Sequence, residues 1–244
     1  MSLQDAVIII TGASRGIGKT LALAFAEEDA IVIAAARKAA GSNSIDETVK
    51  LITNRGGRAI AIQCDVTSPE DCQNLINTSI EHYGSVDVLI NNAGIGIWKD
   101  ILSLEITDWD LSMNVNMRGV FLTCKYAMPN MIKLRKGNII NISSSMGRRY
   151  TLNDLAYAPS KAGLDRFSIN LAHDVIEYGI AVNSLCPGYV STDMAREGSP
   201  ERVEVVIPSV LWLAKQTGAT FTGQVINRAE FGHTWGPGSN LDNL

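Results

Sequence analysis

The stretch Thr11-Gly12-Ala13-Ser14-Arg15-Gly16-Ile17-Gly18 directly follows the apolar run Ala6–Ile10 and leads into a segment with helical periodicity. Glycines permit positive φ and let the backbone approach a ligand closely. The N-terminus of the following helix would offer free N–H groups and the positive end of its dipole to a pyrophosphate. A glycine-rich turn between the first strand and the first helix therefore predicts a dinucleotide-binding α/β fold.

On both sides of this turn, short apolar runs alternate with longer segments of helical period. Such alternation predicts a parallel sheet whose strands are joined by right-handed crossovers. Strands are predicted at Ala6–Thr11, Ala30–Ala36, Arg58–Gln63, Val86–Asn91, Asn138–Ser143, Ile180–Leu185 and Gln224–Asn227. Helices are predicted at about 16–28, 43–55, 69–83, 108–133, 154–178 and 201–215.

We therefore predict one α/β domain over residues 1–244, a Rossmann-type doubly wound sandwich. Its seven-stranded, mostly parallel sheet carries helices on both faces. The tail over 231–244 (FGHTWGPGSNLDNL) is rich in glycine and has no periodicity, so it is predicted to be irregular. Its aromatic residues Phe231 and Trp235 indicate that the tail packs against other groups, a neighbouring subunit being one option.

Composition narrows the class of protein. The chain has 244 residues, 46% of them hydrophobic, and a net charge of -4, so it lacks the basic excess of a nucleic-acid or anionic-membrane binder. Its apolar runs are far shorter than the ~20 residues that span a bilayer. The four cysteines form no CxxC pair, and no histidine stands at zinc-finger spacing from them. We expect a cytoplasmic protein with reduced thiols and no metal.

Two alternatives compete with a dinucleotide site at the glycine-rich turn. One is a tight turn without a ligand. The other is a nucleoside-triphosphate P-loop, because Gly18-Lys19-Thr20 matches the end of GxxxxGK[ST]. The first glycine of that pattern would fall at Ala13, and Gly12 is one residue too early.

The end of the second strand indicates which dinucleotide is bound. Ala36 is followed by Arg37 and Lys38, and no acidic residue appears before Asp46. An acid here would bond the adenosine ribose 2′-OH, whereas a guanidinium can hold a 2′-phosphate. Arg15 could reach the same phosphate, so NADP(H) is favoured over NAD(H). The alternative is that Arg37 and Lys38 are only a solvated strand end.

Asp65 follows the third predicted strand. There it could accept a hydrogen bond from the adenine amino group. It could equally cap the loop that precedes Pro69.

A tyrosine and a lysine, Tyr157 and Lys161, stand four residues apart, which places them on one face of a helix. An ammonium near a phenol favours the phenolate and is expected to lower the phenol pKa toward neutrality. Such a group suits acid/base work on an alcohol–carbonyl couple. The pair alone is also typical of an exposed helix surface. Its weight comes from Ser143-Ser144-Ser145, which end the fifth strand at the edge of the sheet where ligands bind.

With these motifs, the chain resembles the short-chain dehydrogenase/reductases over nearly its whole length. The resemblance is carried by Thr11–Gly18, by Asn91–Gly94 (NNAG), by Asn116 within MNVNMRGVF, by Ser144 with Tyr157 and Lys161, and by Pro187-Gly188 followed by Val190-Ser191-Thr192. Together these motifs are highly specific, although each alone would not be.

The resemblance implies a role for each catalytic candidate. Tyr157 would be the general acid/base, and Lys161 would hold the nicotinamide ribose hydroxyls. Ser144 would orient the substrate oxygen, with Ser143 and Ser145 as its structural neighbours. Asn116 would support a water-linked proton relay.

The resemblance also implies the cofactor contacts. Val190 and Thr192 would hold the carboxamide, and Asn92, Ala93 and Gly94 would line the adenosine side. The full implied set is Gly12, Ser14, Arg15, Gly16, Ile17, Gly18, Arg37, Lys38, Asp65, Val66, Asn92, Ala93, Gly94, Tyr157, Lys161, Pro187, Gly188, Val190 and Thr192. The family's usual helix-paired assembly implies a homodimer or homotetramer, built here on the apolar stripes of the helix near 154–178.

Two regions depart from the family pattern. Few residues between Asp193 and Glu201 remain for a substrate-covering lid, and Arg228-Ala229-Glu230 replaces the usual Asp-Gly-Gly. A short lid implies an open pocket and a bulky substrate, or one held partly by another subunit. Arg148 and Arg149 follow the serine run, where they could attract an anionic substrate group or form a solvated basic loop.

The resulting hypothesis is an oxidoreductase that transfers a hydride between NADP(H) and a carbonyl or secondary alcohol. The small-molecule substrate would be a hydrophobic ketone, such as a 3-oxoacyl or steroid-like compound. The candidate apolar walls of its pocket, which could equally be ordinary core, are Ile95, Ile97, Trp98, Met146, Tyr150, Leu152, Tyr189 and Met194. The alternative is a non-catalytic NADPH-binding regulator or scaffold on the same fold.

Overall fold

The computed structural model describes residues 2–38, 40–194 and 201–239. One sheet of seven strands lies at its centre, in the order β3-β2-β1-β4-β5-β6-β7. The strands are β1 Val7–Thr11, β2 Ile31–Ala36, β3 Arg58–Gln63, β4 Val88–Asn91, β5 Gly137–Ile142, β6 Ile180–Cys186 and β7 Val225–Asn227. Each adjacent pair is parallel, so the sheet that was expected to be mostly parallel is wholly parallel among the described residues.

Helices connect these strands. They are α1 Gly16–Glu27, α2 Ile45–Thr53, α3 Pro69–Tyr83, α4 Ile106–Met113, α5 Gly119–Leu134, α6 Tyr157–Val175 and α7 Ile207–Ala214. In the described part of the chain, no helix is both long and apolar enough to cross a membrane.

The strands pack on both faces of the sheet. Along β1, Ile8 and Ile10 belong to one buried cluster, while Val7 and Ile9 belong to the other. Successive side chains of a strand point to opposite faces, so a strand buried on both sides is apolar at consecutive positions. This arrangement confirms the doubly wound sandwich predicted from the apolar runs.

Helix boundaries differ from the predicted ones where side chains cap the backbone. Helix α6 begins at Tyr157 and not near 154, because the Asp154 carboxylate accepts a hydrogen bond of 2.8 Å from the Ala158 N–H. The predicted helix 108–133 is divided into α4 and α5 by a π-helical turn at Asn114–Arg118. This turn carries Asn116, the predicted relay residue.

The C-terminal tail packs on its own chain. Trp235 is 1% exposed and donates an indole hydrogen bond of 2.7 Å to the Asn227 carbonyl. Its ring meets Phe231, Trp212 and Phe221 at centroid distances of 4.9–6.2 Å. The tail aromatics therefore need no neighbouring subunit, contrary to the option raised above. Residues 240–244 of the tail lie outside the described residues.

The order of the strands creates a crevice at the carboxyl ends of β1 and β4. The chain leaves β1 toward β2 on one side and later returns to β4 on the other, so the connections diverge at this point. Ligands of open α/β sheets bind at such a switch point. Asn92, just after β4, bridges the two strands by donating its amide to the Thr11 carbonyl at 3.0 Å and the Gly12 carbonyl at 3.2 Å.

Candidate active site

A cavity of about 790 Å³ opens at this edge of the sheet. It brings together residues from the glycine-rich turn, from the ends of β2 and β3, from the loops after β4, β5 and β6, and from the start of α6. Of the predicted site residues, it is lined by Gly12, Ser14, Arg15, Gly16, Ile17, Arg37, Lys38, Asp65, Val66, Asn92, Ala93, Gly94, Ser144, Tyr157, Lys161, Pro187, Gly188, Val190 and Thr192. Gly18 and Asn116 are not among its lining residues.

The glycine-rich turn has a shape that only small residues permit. Gly12 has φ +68° and Gly16 has φ +52°, in the left-handed region that favours glycine. A Cβ on Gly12 would come within 3.0 Å of the Ala93 Cα. A Cβ on Gly18 would overlap the Gly12 carbonyl oxygen and lie 2.6 Å from Asn92 Nδ2. Gly18 therefore shapes the turn from behind rather than facing the cavity.

The basic residues of the cavity have different partners. Arg37 and Lys38 are exposed at its outer end, and Lys38 Nζ donates to the Ser42 carbonyl at 2.7 Å. Arg15 forms an exposed ion pair with Asp193, with 2.6 Å between Nη1 and Oδ2. The turn's guanidinium is thus drawn toward a carboxylate that the sequence analysis did not assign to the site.

The lysine of the P-loop alternative points elsewhere. Lys19 Nζ forms an ion pair of 2.8 Å with Glu47 on α2, and Lys19 is absent from the cavity wall. A P-loop lysine has to reach the phosphates of its nucleotide. This geometry argues against a nucleoside-triphosphate site at the turn.

Asp65 takes the loop-capping role that was one of its two predicted settings. Its Oδ1 accepts hydrogen bonds from the Thr67 N–H at 2.9 Å and the Thr67 hydroxyl at 2.8 Å, so it caps the loop before α3. Asp65 also lines the cavity, next to Cys64. All four cysteines of the chain are buried as free thiols.

The predicted catalytic side chains converge on one wall of the cavity. Ser144, Tyr157 and Lys161 all line this wall, and Lys161 Nζ lies 5.7 Å from the centroid of the Tyr157 ring. Lys161 is 4% exposed and donates a hydrogen bond of 2.8 Å to the Ile142 carbonyl at the end of β5. Trp98 covers the other side of Tyr157, with 5.9 Å between ring centroids.

The electrostatics of this pair differ from the expectation. Burial raises the pKa of Tyr157 to about 12, and the nearby Ser144 hydroxyl only partly opposes this rise. Burial also lowers the pKa of Lys161 to about 8, against the nearby charge of Asp165. The prediction that Lys161 lowers the phenol pKa toward neutrality is therefore wrong for this structure. Tyr157 is a neutral phenol at pH 7.

Asn116 acts on the loop after β4. It is fully buried, its Oδ1 accepts from the Ile95 N–H at 2.9 Å, and its Nδ2 donates to the Ile95 carbonyl at 2.9 Å. Nδ2 also donates to the Ser160 hydroxyl on α6 at 3.0 Å. Asn116 therefore joins this loop to the helix that carries Tyr157 and Lys161.

The turn after β6 closes the cavity against the glycine-rich turn. Gly188 has φ +85°, and the preceding Pro187 carbonyl accepts a hydrogen bond of 2.8 Å from Arg228 Nε. Arg228 also pairs with Glu201. The departure from the family pattern at Arg228 thus supports a wall of the cavity. Most of the predicted short lid, residues 195–200, lies outside the described residues.

Sequence reasoning missed several lining residues and misplaced others. Asn43, Cys64, Val115 and Asp193 line the cavity without having been predicted. Of the expected apolar walls, Ile95, Trp98, Met146, Tyr189 and Met194 are present, whereas Ile97, Tyr150 and Leu152 do not line it. Position directly after a strand could have indicated Cys64, which precedes Asp65 at the end of β3.

Comparisons with known proteins agree with this geometry. The family profile for short chain dehydrogenases matches residues 6–202. A 3-oxoacyl-[acyl-carrier-protein] reductase of Synechocystis is 35% identical over 242 residues, covering 93% of this chain and 96% of that protein. Glucose 1-dehydrogenase 2 of Bacillus subtilis is 31% identical and covers 92% of this chain and 93% of that protein.

Solved structures show the same likeness. The crystal structure of a variant actinorhodin polyketide ketoreductase with NADPH matches with a TM-score of 0.85 and 29% identity, covering 91% of this chain and 95% of that one. The cavity at the switch point, the sheet order and these matches agree on one family. The chain is a member of the short-chain dehydrogenase/reductase family, an oxidoreductase that uses an NAD(P)-type cofactor on a small-molecule substrate.

Proposed function

We propose that this enzyme reduces a hydrophobic ketone with NADPH, and catalyses the reverse oxidation of the secondary alcohol. The observation that carries the proposal is the convergence of Ser144, Tyr157 and Lys161 on the cavity that the glycine-rich turn also borders. A non-catalytic NADPH-binding regulator is the alternative. A buried acid/base pair at the wall of an open cavity favours the enzyme.

The described residues fit NADP(H). The glycine-rich turn lines the cavity at the N-terminus of α1, where free backbone N–H groups can receive a pyrophosphate. Arg37 and Lys38 at the outer end suit a 2′-phosphate, because a guanidinium can hold it with paired hydrogen bonds. Asp65 and Val66 would meet the adenine, and Val190 and Thr192 would meet the carboxamide. NADP(H) is therefore proposed ahead of NAD(H).

The proposed residues share the proton chemistry. When bound, the reduced cofactor supplies the hydride for the carbonyl carbon. Tyr157 donates its phenolic proton to the oxygen on which negative charge develops, and Ser144 donates a hydrogen bond to the same oxygen. Lys161 stabilises the phenolate that remains. Asn116 holds the loop beside this group and, in our proposal, supports the return of the proton.

The raised pKa of Tyr157 suits the reductive direction. A phenol with a pKa of about 12 is fully protonated at pH 7, so it is ready to act as an acid. Oxidation would need the phenolate, which is scarce at neutral pH. Ketone reduction therefore starts from the protonation state of Tyr157 that predominates near pH 7.

The relatives' names and the cavity wall together support a substrate class. Two of the similar proteins are named as reductases of 3-oxoacyl thioesters and of a polyketide. The substrate end of this cavity carries Trp98, Met146, Tyr189 and Met194, which are large and mostly apolar. We propose a 3-oxoacyl or similarly bulky, apolar ketone.

A carbonyl panel assayed with NADPH and with NADH tests the proposal. Turnover that prefers NADPH and bulky ketones is the expected result. Binding of NADPH without turnover of any carbonyl would support the regulator instead.

Tyr157→Phe tests the acid/base assignment. It should reduce turnover by about 10²–10⁴-fold, because it removes the proton donor, while NADPH affinity changes little. Tyr126→Phe is a matched control away from the cavity and should retain activity. Near-wild-type turnover in Tyr157→Phe would remove Tyr157 from the mechanism.

We also propose a homodimer or homotetramer. Phe121 on α5 is 45% exposed and meets Phe167 of α6 edge to face, and Ile176 just beyond α6 is 47% exposed. Apolar helix faces of this kind need a partner. Light scattering that gives the monomer mass at assay concentration would contradict this assembly.

A further inference from the structure

Helix α6 carries a second buried charge one turn beyond Lys161. Asp165 is 7% exposed, and its Oδ1 accepts a hydrogen bond of 2.6 Å from the Ser184 hydroxyl on β6. Its Oδ2 lies 3.7 Å from Arg148 Nε, which makes an ion pair too long for a hydrogen bond. Residues four apart on a helix share one face, so Asp165 lies one helical turn from Lys161, close enough for its charge to act on the ammonium.

The partners of Asp165 keep its carboxylate in place. Arg148 ends the short turn that follows Ser144, and its guanidinium also donates to the Val225 carbonyl at 3.4 Å and to Asn227 Oδ1 at 3.2 Å. The turn itself is pressed onto α6, because a Cβ on Gly147 would lie 2.7 Å from the Ala162 nitrogen. The Asp165 carboxylate is therefore held between Ser184 on β6 and Arg148 in the loop that follows Ser144.

Burial favours the neutral form of the Lys161 side chain. A buried ammonium is destabilised by desolvation, and a nearby anion opposes that loss. In the described part of the chain, the titratable groups facing Lys161 are Tyr157 and Asp165 on its own helix and Cys186 at the end of β6. Asp154 faces Tyr157 instead. Of the groups facing Lys161, Asp165 is the one carboxylate.

We propose that Asp165 is a positioning residue of this enzyme, whose fixed carboxylate keeps the Lys161 ammonium charged beside Tyr157. The inference rests on the proposed function, in which Lys161 must be protonated to stabilise the phenolate. Asp165 touches neither the substrate nor the reacting atoms. It acts through Lys161, and Ser184 and Arg148 hold it there.

The pH profile of kcat/KM for ketone reduction tests this role. Asp165→Asn keeps the shape of the side chain and removes its charge, so the alkaline fall in activity should move to lower pH by on the order of one unit. Asp165→Glu restores the charge and should move the fall back toward the wild-type position. Asp174→Asn, an exposed site on the same helix, is the matched control and should leave the profile unchanged.

Arg148→Gln provides a second variant with the opposite sign. The Ser184 hydroxyl still holds Asp165 in this variant, so removing the nearby cation makes the field at Lys161 more negative and should move the alkaline fall to higher pH. Arg148 is 37% exposed at its side chain, so this variant should fold even if Asp165→Asn does not. If Asp165 had only a structural role, Asp165→Asn and Arg148→Gln would lower kcat without moving the pH profile of kcat/KM in opposite directions.

Labelling of Lys161 by an amine-reactive reagent, followed by mass spectrometry across pH, separates this inference from the proposed function. Labelling depends on the free amine and needs no turnover. Asp165→Asn should label at lower pH than wild type, and NADPH should protect both. Wild-type protein that turns over no carbonyl contradicts the proposed function alone. Unchanged profiles in both Asp165→Asn and Arg148→Gln, by labelling or by turnover, overturn the role of Asp165.

Discussion

Replacing Gly18 by alanine tests whether the glycine-rich turn depends on close backbone contact. Inside a helix, glycine to alanine ordinarily stabilises a protein by about 0.5–1 kcal/mol. Gly18 is inside α1, but its added Cβ would overlap the Gly12 carbonyl oxygen and lie 2.6 Å from Asn92 Nδ2. Neither group can move away cheaply, because Asn92 donates to the carbonyls of both Thr11 and Gly12.

The expected magnitude follows from these contacts. Overpacking of this kind costs about 1–3 kcal/mol, and loss of the amide bond to Gly12 adds about 1 kcal/mol. After the helical gain, Gly18→Ala should lower the free energy of unfolding by about 1–3 kcal/mol. For a chain of this length, the Tm should fall by roughly 2–12 °C.

Thermal unfolding and NADPH titration provide the readouts. Because the turn shifts, the Kd for NADPH should rise at least about tenfold. Gly163→Ala is the matched control: its Cβ would meet Met117 Sδ at 2.6 Å, and a thioether side chain can move aside. That variant should stay within about 1 kcal/mol of wild type and bind NADPH normally. A Gly18→Ala protein that is as stable as wild type and binds as tightly refutes the argument.

Three further outcomes are expected. The kcat/KM for ketone reduction should fall as pH rises through about 8, because the lowered pKa of Lys161 means that its ammonium loses its proton there. The rate of alcohol oxidation should rise with pH, because more of Tyr157 becomes phenolate. Arg37→Ala should lower the preference for NADPH over NADH by about 10–100-fold, measured as a ratio of kcat/KM, and an unchanged ratio would assign the 2′-phosphate to another residue. Arg228→Ala leaves the Pro187 carbonyl without its donor, so the KM for NADPH should rise and the Tm should fall. If both stay at wild-type values, the Arg228 contact is unimportant for the cavity wall.

The fold was predictable because its strands are buried on both faces. Ile8, Ile9 and Ile10 can be adjacent in sequence only if alternate side chains enter separate cores, and continuous apolar runs signal that arrangement. All seven strands occur where predicted, with ends that differ by at most two residues. The π-helical turn at Asn116 was not predictable, since a helical period hardly changes across one wide turn.

The sequence predicted which residues meet at the site better than it predicted their pKa values. Tyr157 and Lys161 meet because one helix carries them, and helical spacing is a local property. The sign of the Tyr157 pKa shift depends on burial by residues such as Trp98, which lies far away in the sequence. The pairing of Arg15 with Asp193 joins positions 178 residues apart, and no local pattern indicates it.

The placement of three of the four tryptophans has a practical consequence for spectroscopy. Trp98 stands beside Tyr157 in the cavity, whereas Trp212 and Trp235 lie together in the aromatic cluster of the tail. Energy transfer from Trp98 to a reduced nicotinamide would quench its fluorescence and report occupancy. The fixed packing of Trp212 and Trp235 would contribute to the near-ultraviolet circular dichroism, and that contribution would report folding. The chain thus contains separate optical signals for ligand capture and for integrity of the fold, without any attached dye.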